Sequence, residues 1–519
     1  MSIQKDLEYL KQNKFQRALD KIIDFFCGIP AWFIGLCKAF WNVLVRFGLA
    51  VKNEVLDIIH TFTRGTWATK VSYLIMGFRN FSCGQILKGI LFLLFEGVFI
   101  AYMVLAGGYW LSKFETLGTV YPYRDYDASV DAYVTFPGDD SFKILLYGLL
   151  TIAFIIAFIV TWHMNVKQAK LVDEIIASGK KVKSGKDDLK SLLDDQFHKS
   201  MLALPVLGIL IFTVLPVIFM ILVAFTNYDA THDGYSNLFT WVGFDNFNEL
   251  FSGTAVGGGN LSYTFGEILS WTLIWAFFAT FTNYFLGMVV AMMINKKGIK
   301  LKKLWRGILV LTIAVPQFIS LLYVARLFDL NGLINGSLLN VSKVLVEWGW
   351  IKNTYVPFDF WGDPTVARIL VIVINIWIGI PYLMLITTGV LMNIPGDLYE
   401  SAKIDGANVW QQYVKITLPY MLFVTGPYLL TNFIGNLNNF NVIYLLTGGG
   451  PNNEKLLTSG GSAGDTDLLI TWLFKITTGS TNNYKLASVV GILIFVVVAV
   501  LSLIVYNVIP STKNEEDYS

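Results

Sequence analysis

Charge is what this 519-residue sequence has least of: Asp, Glu, Lys and Arg together make up 15%, against 55% hydrophobic residues, and the mean hydropathy is +0.57. A soluble domain usually carries about 25% charged residues, so that class is excluded. A net charge of +2 gives no electrostatic case for nucleic acid. The three cysteines, Cys27, Cys37 and Cys83, form no C-x-x-C pair, so neither zinc nor a disulfide framework is indicated. His60, His163, His198 and His232 are scattered, without metal-ligand spacing. A phosphate loop of the form G-x-x-x-x-G-K-[ST] is also missing. Gly185-Lys186-Asp187 lacks the hydroxyl residue and the strand–helix setting, and reads as a solvated lysine loop. No acid, base or metal cluster points to a membrane enzyme. The first residues are polar and charged, so no cleavable leader is expected.

What is present is a series of long apolar runs. A bilayer core about 30 Å thick needs about 20 apolar residues in a helix. About eight runs meet that length: Ile90–Leu111, Ile144–Trp162, Leu202–Phe225, Ile268–Ile294, Ile308–Phe328, Ala367–Met392, Met421–Leu446 and Leu486–Val508. Each must be helical, because lipid offers backbone amides no partner. The fold expected is therefore an all-α polytopic membrane protein, with kinks at Pro316 and Pro381. Ile22–Val51 is aromatic and apolar but interrupted by Asp24, Pro30, Lys38 and Arg46. It reads as amphipathic helices lying on the inner surface, with a ninth span as the alternative.

Lysine and arginine set the orientation. Lys167, Lys170, Lys180, Lys181, Lys183, Lys186, Lys190 and Lys199 follow the second run, and Lys296, Lys297, Lys300, Lys302, Lys303 and Arg306 follow the fourth. The loop Thr226–Glu267 after the third has neither residue type and carries Asp229, Asp233, Asp245 and Glu249. The lysine-rich loops and both termini are thus expected in the cytoplasm, together with the loop after the sixth run.

That loop is polar and punctuated. Asp397 and Glu400 have capping-box spacing, Gly406 stands where a helix stops, and Asn408 with Gln411 repeats the capping pattern before Pro419. Two short helices joined at Gly406 are expected, with Tyr399, Ala402, Trp410 and Tyr413 leaving apolar surface on a wet loop. Capping and apolarity alone fit either a pair of helices resting on headgroups or an anchor for another protein's cleft. The residue order goes further. Glu400-Ser401-Ala402, Gly406, then Ile416-x-Leu418-Pro419 resembles the EAA loop of ABC importer permeases, with Ser401 in place of the usual alanine. Leu437-Asn438-Asn439-Phe440, Leu446-Thr447-Gly448-Gly449-Gly450-Pro451-Asn452, Ala224-Phe225-Thr226-Asn227-Tyr228 and Val242-Gly243-Phe244-Asp245-Asn246-Phe247 resemble the larger, MalF-like subunit of the maltose/maltodextrin type. The likeness covers roughly 202–508. It implies a type I ABC importer permease fold whose bent loop docks into a separate ATPase. In that docking Glu400 would face a basic residue and Gly406 would allow the bend. It also implies a homologous second permease, an ATPase dimer carrying ATP and Mg, an extracytoplasmic sugar-binding protein, and no cofactor on this chain. Enteric members carry a large external domain after the third span, where this chain has only Thr226–Glu267.

In this reading residues 1–85 are a cytoplasmic or interfacial helical extension and 86–200 hold the first two spans with the lysine-rich loop. Residues 201–510 form the permease core, with the coupling loop at 395–419, and 511–519 are a cytoplasmic tail. Asn432, Asn436 and Asn439 in the seventh run, and Asn375, Gly379 and Tyr382 in the sixth, are spaced four and three apart, on one helical face each. Neutral amides and an aromatic ring suit sugar hydroxyls and a sugar's apolar face, although each hydrogen bond contributes only about 0.5–1.5 kcal/mol net. The resemblance places both stripes at sugar-binding positions, with Gly435 where relatives can carry an aromatic. A single asparagine would instead read as interhelical packing. Tyr323, Trp377 and Asn441 are secondary candidates, and Glu96 is an intramembrane acid expected to be paired or hydrogen-bonded rather than catalytic. The alternative to an ATP-driven oligosaccharide importer is an ion-gradient-driven sugar transporter, which would need an ionisable relay at mid-membrane. Topology reporters fused at Lys186 and Gly258 should fall on opposite faces of the membrane, and labelling of both from one side would reverse the orientation argument.

Overall fold

The computed structural model describes residues 14–129, 131–182, 190, 194, 197–233, 237–252, 261–296, 298–458, 462–479 and 482–508. Most of the charged stretch Ser178–Asp195, the reporter positions Lys186 and Gly258, and the tail 511–519 lie outside the described residues. Helix α1 spans Lys14–Arg64, and α2 (Ile86–Phe114) and α3 (Ser141–Ala177) flank a hairpin of β1 (Tyr123–Asp127) and β2 (Ala132–Phe136). There follow α4 (Met201–Val223), α5 (Asp245–Ser252), α6 (Leu261–Asn295), α7 (Lys302–Ala314), α8 (Gln317–Leu327), α9 (Leu333–Glu347) and α10 (Pro364–Leu391). Further along are α11 (Gly396–Ile404), α12 (Val409–Gln412), α13 (Leu418–Leu437), α14 (Phe440–Leu446), α15 (Leu469–Thr478) and α16 (Tyr484–Ile504), and shorter helices lie at Trp67–Val71, Phe78–Ser82 and Glu454–Thr458.

Among the described residues six helices, α2, α3, α4, α6, α10 and α16, are long and apolar enough to cross a membrane, or seven when α7 and α8 count as one broken span. The break is sharp, 89°, and falls at Val315-Pro316 as the proline implies. Pro381, by contrast, lies inside a continuous α10. The expected run Met421–Leu446 is not one helix. It divides into α13 and α14 at Asn438-Asn439, where the Asn439 side chain accepts from Val442 N at 3.3 Å and starts a new helix. Asparagine competes with the helical backbone through such local bonds, which apolarity alone does not register. At the N-terminus the interrupted pattern forms one long helix, α1, which passes through Pro30 rather than dividing there. The β-hairpin is an addition to the all-α expectation.

The chain divides into two compact units, one of Met1–Ser112 with Gly148–Ile209, the other of Lys113–Tyr147 with Leu210–Ser519. In the first, ion pairs tie α1 to α3: Glu54 meets His163 and Lys167, and Asp57 meets Lys170. Asp173 accepts from Thr66, Thr69 and Arg79, and Asn165 bonds Ser72 O and Gly77 N. Glu96 accepts from Met76 N at 2.8 Å, so this acid is hydrogen-bonded as expected.

In the second unit α6 is the central helix. Its small residues Ala276, Ala279 and Gly287 let α10 and α13 approach closely, and Trp275, Tyr284, Met288, Leu383 and Met421 fill the contact. Trp275 Nε1 donates to Asn436 O at 3.0 Å, and the Tyr284 and Thr425 hydroxyls are 2.7 Å apart. The Leu446–Asn452 segment wraps a buried ion pair. Asp467 Oδ2 receives Lys475 Nζ at 2.6 Å and Gly464 N at 2.7 Å, and its Oδ1 receives Thr471 Oγ1 at 2.9 Å. Burial pushes the Asp467 carboxyl above the usual carboxylate range, against the pull of Lys475. Gly449 has φ +88°, and a Cβ there would lie 1.9 Å from Asp467 Oδ1, so glycine is required at this one position of the run by the packing. Replacing Lys475 with Met should destabilise the protein by about 3–5 kcal/mol, the effect of stranding a buried charge. Adding Asp467→Asn should recover most of it, as read by thermal unfolding of the purified chain in detergent. Equal melting of wild type and Lys475→Met would remove the pair's structural role.

Candidate functional site

Two features of the second unit carry chemistry. The first is a cavity of about 540 Å³ at the α7–α8 break, lined by Thr312, Pro316, Gln317, Ser320, Trp377, Gly379 and Tyr382 among others. Breaking a helix in lipid exposes backbone polar groups, and this is tolerated where the break faces protein or a water-filled space. The bend here turns Gln317 and Ser320 toward the 377–382 stretch of α10, so neutral donors and acceptors face two aromatic side chains. Trp377 and Tyr382 are more than half exposed, and the Tyr382 ring lies 6.5 Å from that of Tyr428.

The six residues of the two stripes fall into different places. Gly379 and Tyr382 line the cavity. Asn375 is buried, and its carbonyl accepts from Asn283 Nδ2 at 3.4 Å. Asn436 is buried and donates to Thr280 Oγ1 at 2.9 Å, while its Oδ1 accepts from Asn439 at 3.3 Å. Asn432 is half-buried on α13. Asn439 does not share a helical face with Asn432 and Asn436, because α13 ends at Leu437 and Asn439 is the cap of α14. The Asn436 side-chain amide therefore bonds α6 in this conformation, and Asn375 meets α6 through its backbone carbonyl. The residue that sequence reasoning missed is Asn283. Its amide nitrogen sits 2.0 Å from where a Gly379 Cβ would be, and its buried Oδ1 has no hydrogen-bond partner. A lone asparagine in an otherwise apolar run carries no pattern to find it by. Trp377 lines the cavity, whereas Tyr323 and Asn441 are exposed.

The second feature is the loop 396–418. Helix α11 begins at Gly396 after Pro395, with Asp397 in its first turn rather than at the cap. The proline already orients the entry, so the expected Asp397–Glu400 capping box does not form. The helix ends as expected. Gly406 has φ +75°, Gly406 N bonds Lys403 O at 3.1 Å and Ala407 N bonds Ala402 O at 2.8 Å, the Schellman arrangement. The Asn408–Gln411 box is present, with both bonds at 2.8 Å. The second short helix does not stop before Pro419. It passes through a π turn, Tyr413–Thr417, directly into α13, since proline is tolerated in a helix's first turn. Ile416 lies in that turn and Leu418 and Pro419 open α13, so the loop's second arm is a continuation of a core helix. Tyr399 OH meets Thr417 Oγ1 at 2.9 Å and joins the two arms. Glu400 and Ser401 are exposed and Ala402 is half-buried. Ile404, Val409 and Trp410 are 86%, 83% and 70% exposed, on both sides of Gly406.

Residues 283–513 match the family model of the binding-protein-dependent transport system inner membrane component. The maltodextrin transport system permease protein MdxF of Bacillus subtilis is 33% identical over 461 residues, 88% of this chain and 99% of that protein. The chain belongs to this family of transport-system membrane components. The galactooligosaccharides transport system permease protein GanP of Bacillus subtilis is 32% identical over 446 residues, 85% of this chain and 97% of that one. A solved bacterial ABC transporter involved in the import of alginate aligns at 22% identity and a TM-score of 0.46, over 62% of this chain and 97% of its own. Family membership and the apolar helices make the chain a multi-pass permease of the plasma membrane, not an enzyme. Gly379→Ala should drive a methyl into the Asn283 amide and cost about 1–3 kcal/mol. Gly379→Ala/Asn283→Ala should regain that stability, as read by thermal shift. Equal melting of single and double variants would exclude the close contact.

Proposed function

We propose that this permease is one membrane subunit of an ATP-driven importer that carries an oligosaccharide, of the maltodextrin class, into the cell. A second homologous permease, two copies of an ATP-binding ATPase and an extracytoplasmic sugar-binding protein complete the machine, with ATP and Mg held by the ATPases. The lysine-rich loops and both termini face the cytoplasm. The observation that carries the reading is the bent loop around Gly406. Three large apolar side chains stand exposed on two short helices, separated by the stop at Gly406 and the Asn408–Gln411 box, whose second arm continues as α13. A soluble partner that gripped Ile404, Val409 and Trp410 would push or pull α13 as a lever, and α13 packs on α6 beside α10. Closure of the ATPases on ATP would draw these loops together and rearrange the α6–α10–α13 contact, and hydrolysis would return it. The transmitted effect is a coupling between two sites through two global states.

Sugar recognition is assigned to the cavity at Pro316, with Gly379 and Tyr382 in its wall, Trp377 as a stacking face, and Asn375, Asn432, Asn436 and Asn439 as amides released to the substrate when the helices move. The neutral lining fits a polyhydroxyl, uncharged ligand. An ion-gradient transporter would place an ionisable relay there. The maltodextrin class is taken from the relative of that name, and a galacto-oligosaccharide is the second substrate to assay.

The reading is tested in proteoliposomes holding the whole complex. Tyr382→Ala should lower uptake of labelled maltodextrin at least tenfold while ATPase assembly is intact. Glu400→Ala with Gly406→Val should instead weaken ATPase association. Sugar flux by this chain alone on an ion gradient would overturn the proposal.

A further inference from the structure

The β1–β2 hairpin has no part in the functions above, yet its base is held by a dense set of bonds. Lys113 pairs with Asp139 across its base, and Asp139 Oδ2 also accepts Thr119 N at 2.9 Å and Val120 N at 3.0 Å. Asp139 N returns a bond to Val120 O at 2.7 Å, and a Cβ on Gly138 would lie 2.4 Å from that carbonyl. Burial opposes the Asp139 charge, but Lys113 and the two amides hold its pKa below the usual carboxylate range. The base is also fixed to the loop after α4. Trp241 Nε1 donates to Phe114 O at 3.1 Å, and Phe239 N donates to Ser141 Oγ at 3.2 Å.

Beyond this rigid base the hairpin presents aromatic surface. Tyr121, Tyr123, Tyr126 and Tyr133 are each 50% to 66% exposed. Tyr123 stacks on Phe136 and Tyr126 packs edge-on to its cross-strand neighbour Tyr133, so the rings are ordered before any partner arrives. Asp125, Asp127 and Asp131 surround them, and the one cation among them, Arg124, lies over the Tyr133 ring at 5.9 Å. Rigid, exposed tyrosines on an ordered backbone have the composition of protein-interface hot spots. A membrane-interface role would pair the rings with cations rather than with three carboxylates.

We propose that this hairpin is the docking surface for the importer's extracytoplasmic binding protein, with the tyrosines as anchors and the carboxylates meeting a basic rim on that partner. The proposal rests on the importer reading and orientation given above, which put the hairpin on the outer face. Two observations select this occupant. The family is binding-protein-dependent, so an external protein must find the permease. The hairpin is bonded to the loop after α4, so two connections on that face are fixed to each other where a protein arriving from outside needs a landing surface.

The test uses the complete complex in nanodiscs and its own binding protein, titrated with ATPase stimulation as the readout. Tyr126→Ser/Tyr133→Ser should raise the half-saturating concentration at least tenfold while leaving the maximal rate and the unstimulated ATPase unchanged. Asp125→Lys/Asp127→Lys should raise it as well and flatten its dependence on salt. A photo-crosslinker on Ala128→Cys, a variant that leaves the anchors in place, should label the binding protein. Unchanged half-saturation in both double variants, or labelling of lipid in place of protein, would overturn the hairpin's role. Failure of the binding protein to stimulate the wild-type complex would overturn the importer reading itself.

Discussion

The close packing of α6 against α10 and α13 is the constraint on which the second unit depends. In a bilayer no hydrophobic force draws helices together, so contact must come from small residues and from polar groups satisfied across the interface. Helix α6 supplies both. Ala276, Ala279 and Gly287 give the close approach, while Trp275, Thr280, Asn283 and Tyr284 each meet a group on α10 or α13. The glycine at 379 completes this surface by leaving room for an amide from α6. That one residue therefore belongs to the helix contact and to the cavity wall together. A shift of the contact is then also a change of the cavity.

This arrangement explains why the two asparagine stripes resist a choice between packing and recognition. Asn436 bonds Thr280 and Asn439, and the carbonyl of Asn375 receives Asn283, so in this conformation they hold helices together. These bonds are few and in part long, and Asn283 Oδ1 is left without a partner. An interface of amides that is incompletely paired can exchange partners at small net change in free energy, because each neutral hydrogen bond contributes only about 1 kcal/mol. Polar packing in one state and ligand contact in another are compatible uses of the same side chains.

Much of this was legible in the sequence, and the exceptions have physical causes. The apolar runs forced helices because lipid leaves no alternative, and Pro316 marked the broken one. The Asn408–Gln411 box and the stop at Gly406 were readable because capping is a local exchange of bonds within a few residues. Pro395 displaced the expected box at Asp397 because a proline already sets the chain's entry. The run at 421–446 misled because hydropathy averages over asparagines whose side chains recruit the backbone, which is how Asn439 ends one helix and starts another. The β-hairpin carries a short period-two pattern among tyrosines and aspartates, which is weak beside twenty-residue apolar signals. The Asp467–Lys475 pair and Asn283 were beyond reach, since their meaning lies in partners brought near only by the fold.

The bent loop and the α6 contact are joined by one continuous element. Had the second short helix ended before Pro419, a flexible joint would have separated Trp410 from the core, and force on the loop would have been lost in that joint. The π turn at 413–417 avoids this. It carries the helix through the proline with Thr417 buried and bonded to Tyr399 of the other arm. Val409 and Trp410 are thus joined to α13 by unbroken helix, whereas Ile404 on the other arm reaches it through the Tyr399–Thr417 bond, and α13 meets α6 at Asn436 and Thr425. A rod seated on bonded polar contacts moves between discrete seatings rather than yielding continuously, because the hydrogen bonds must be either made or exchanged. That property suits the coupling proposed above between the loop and the α6–α10–α13 contact.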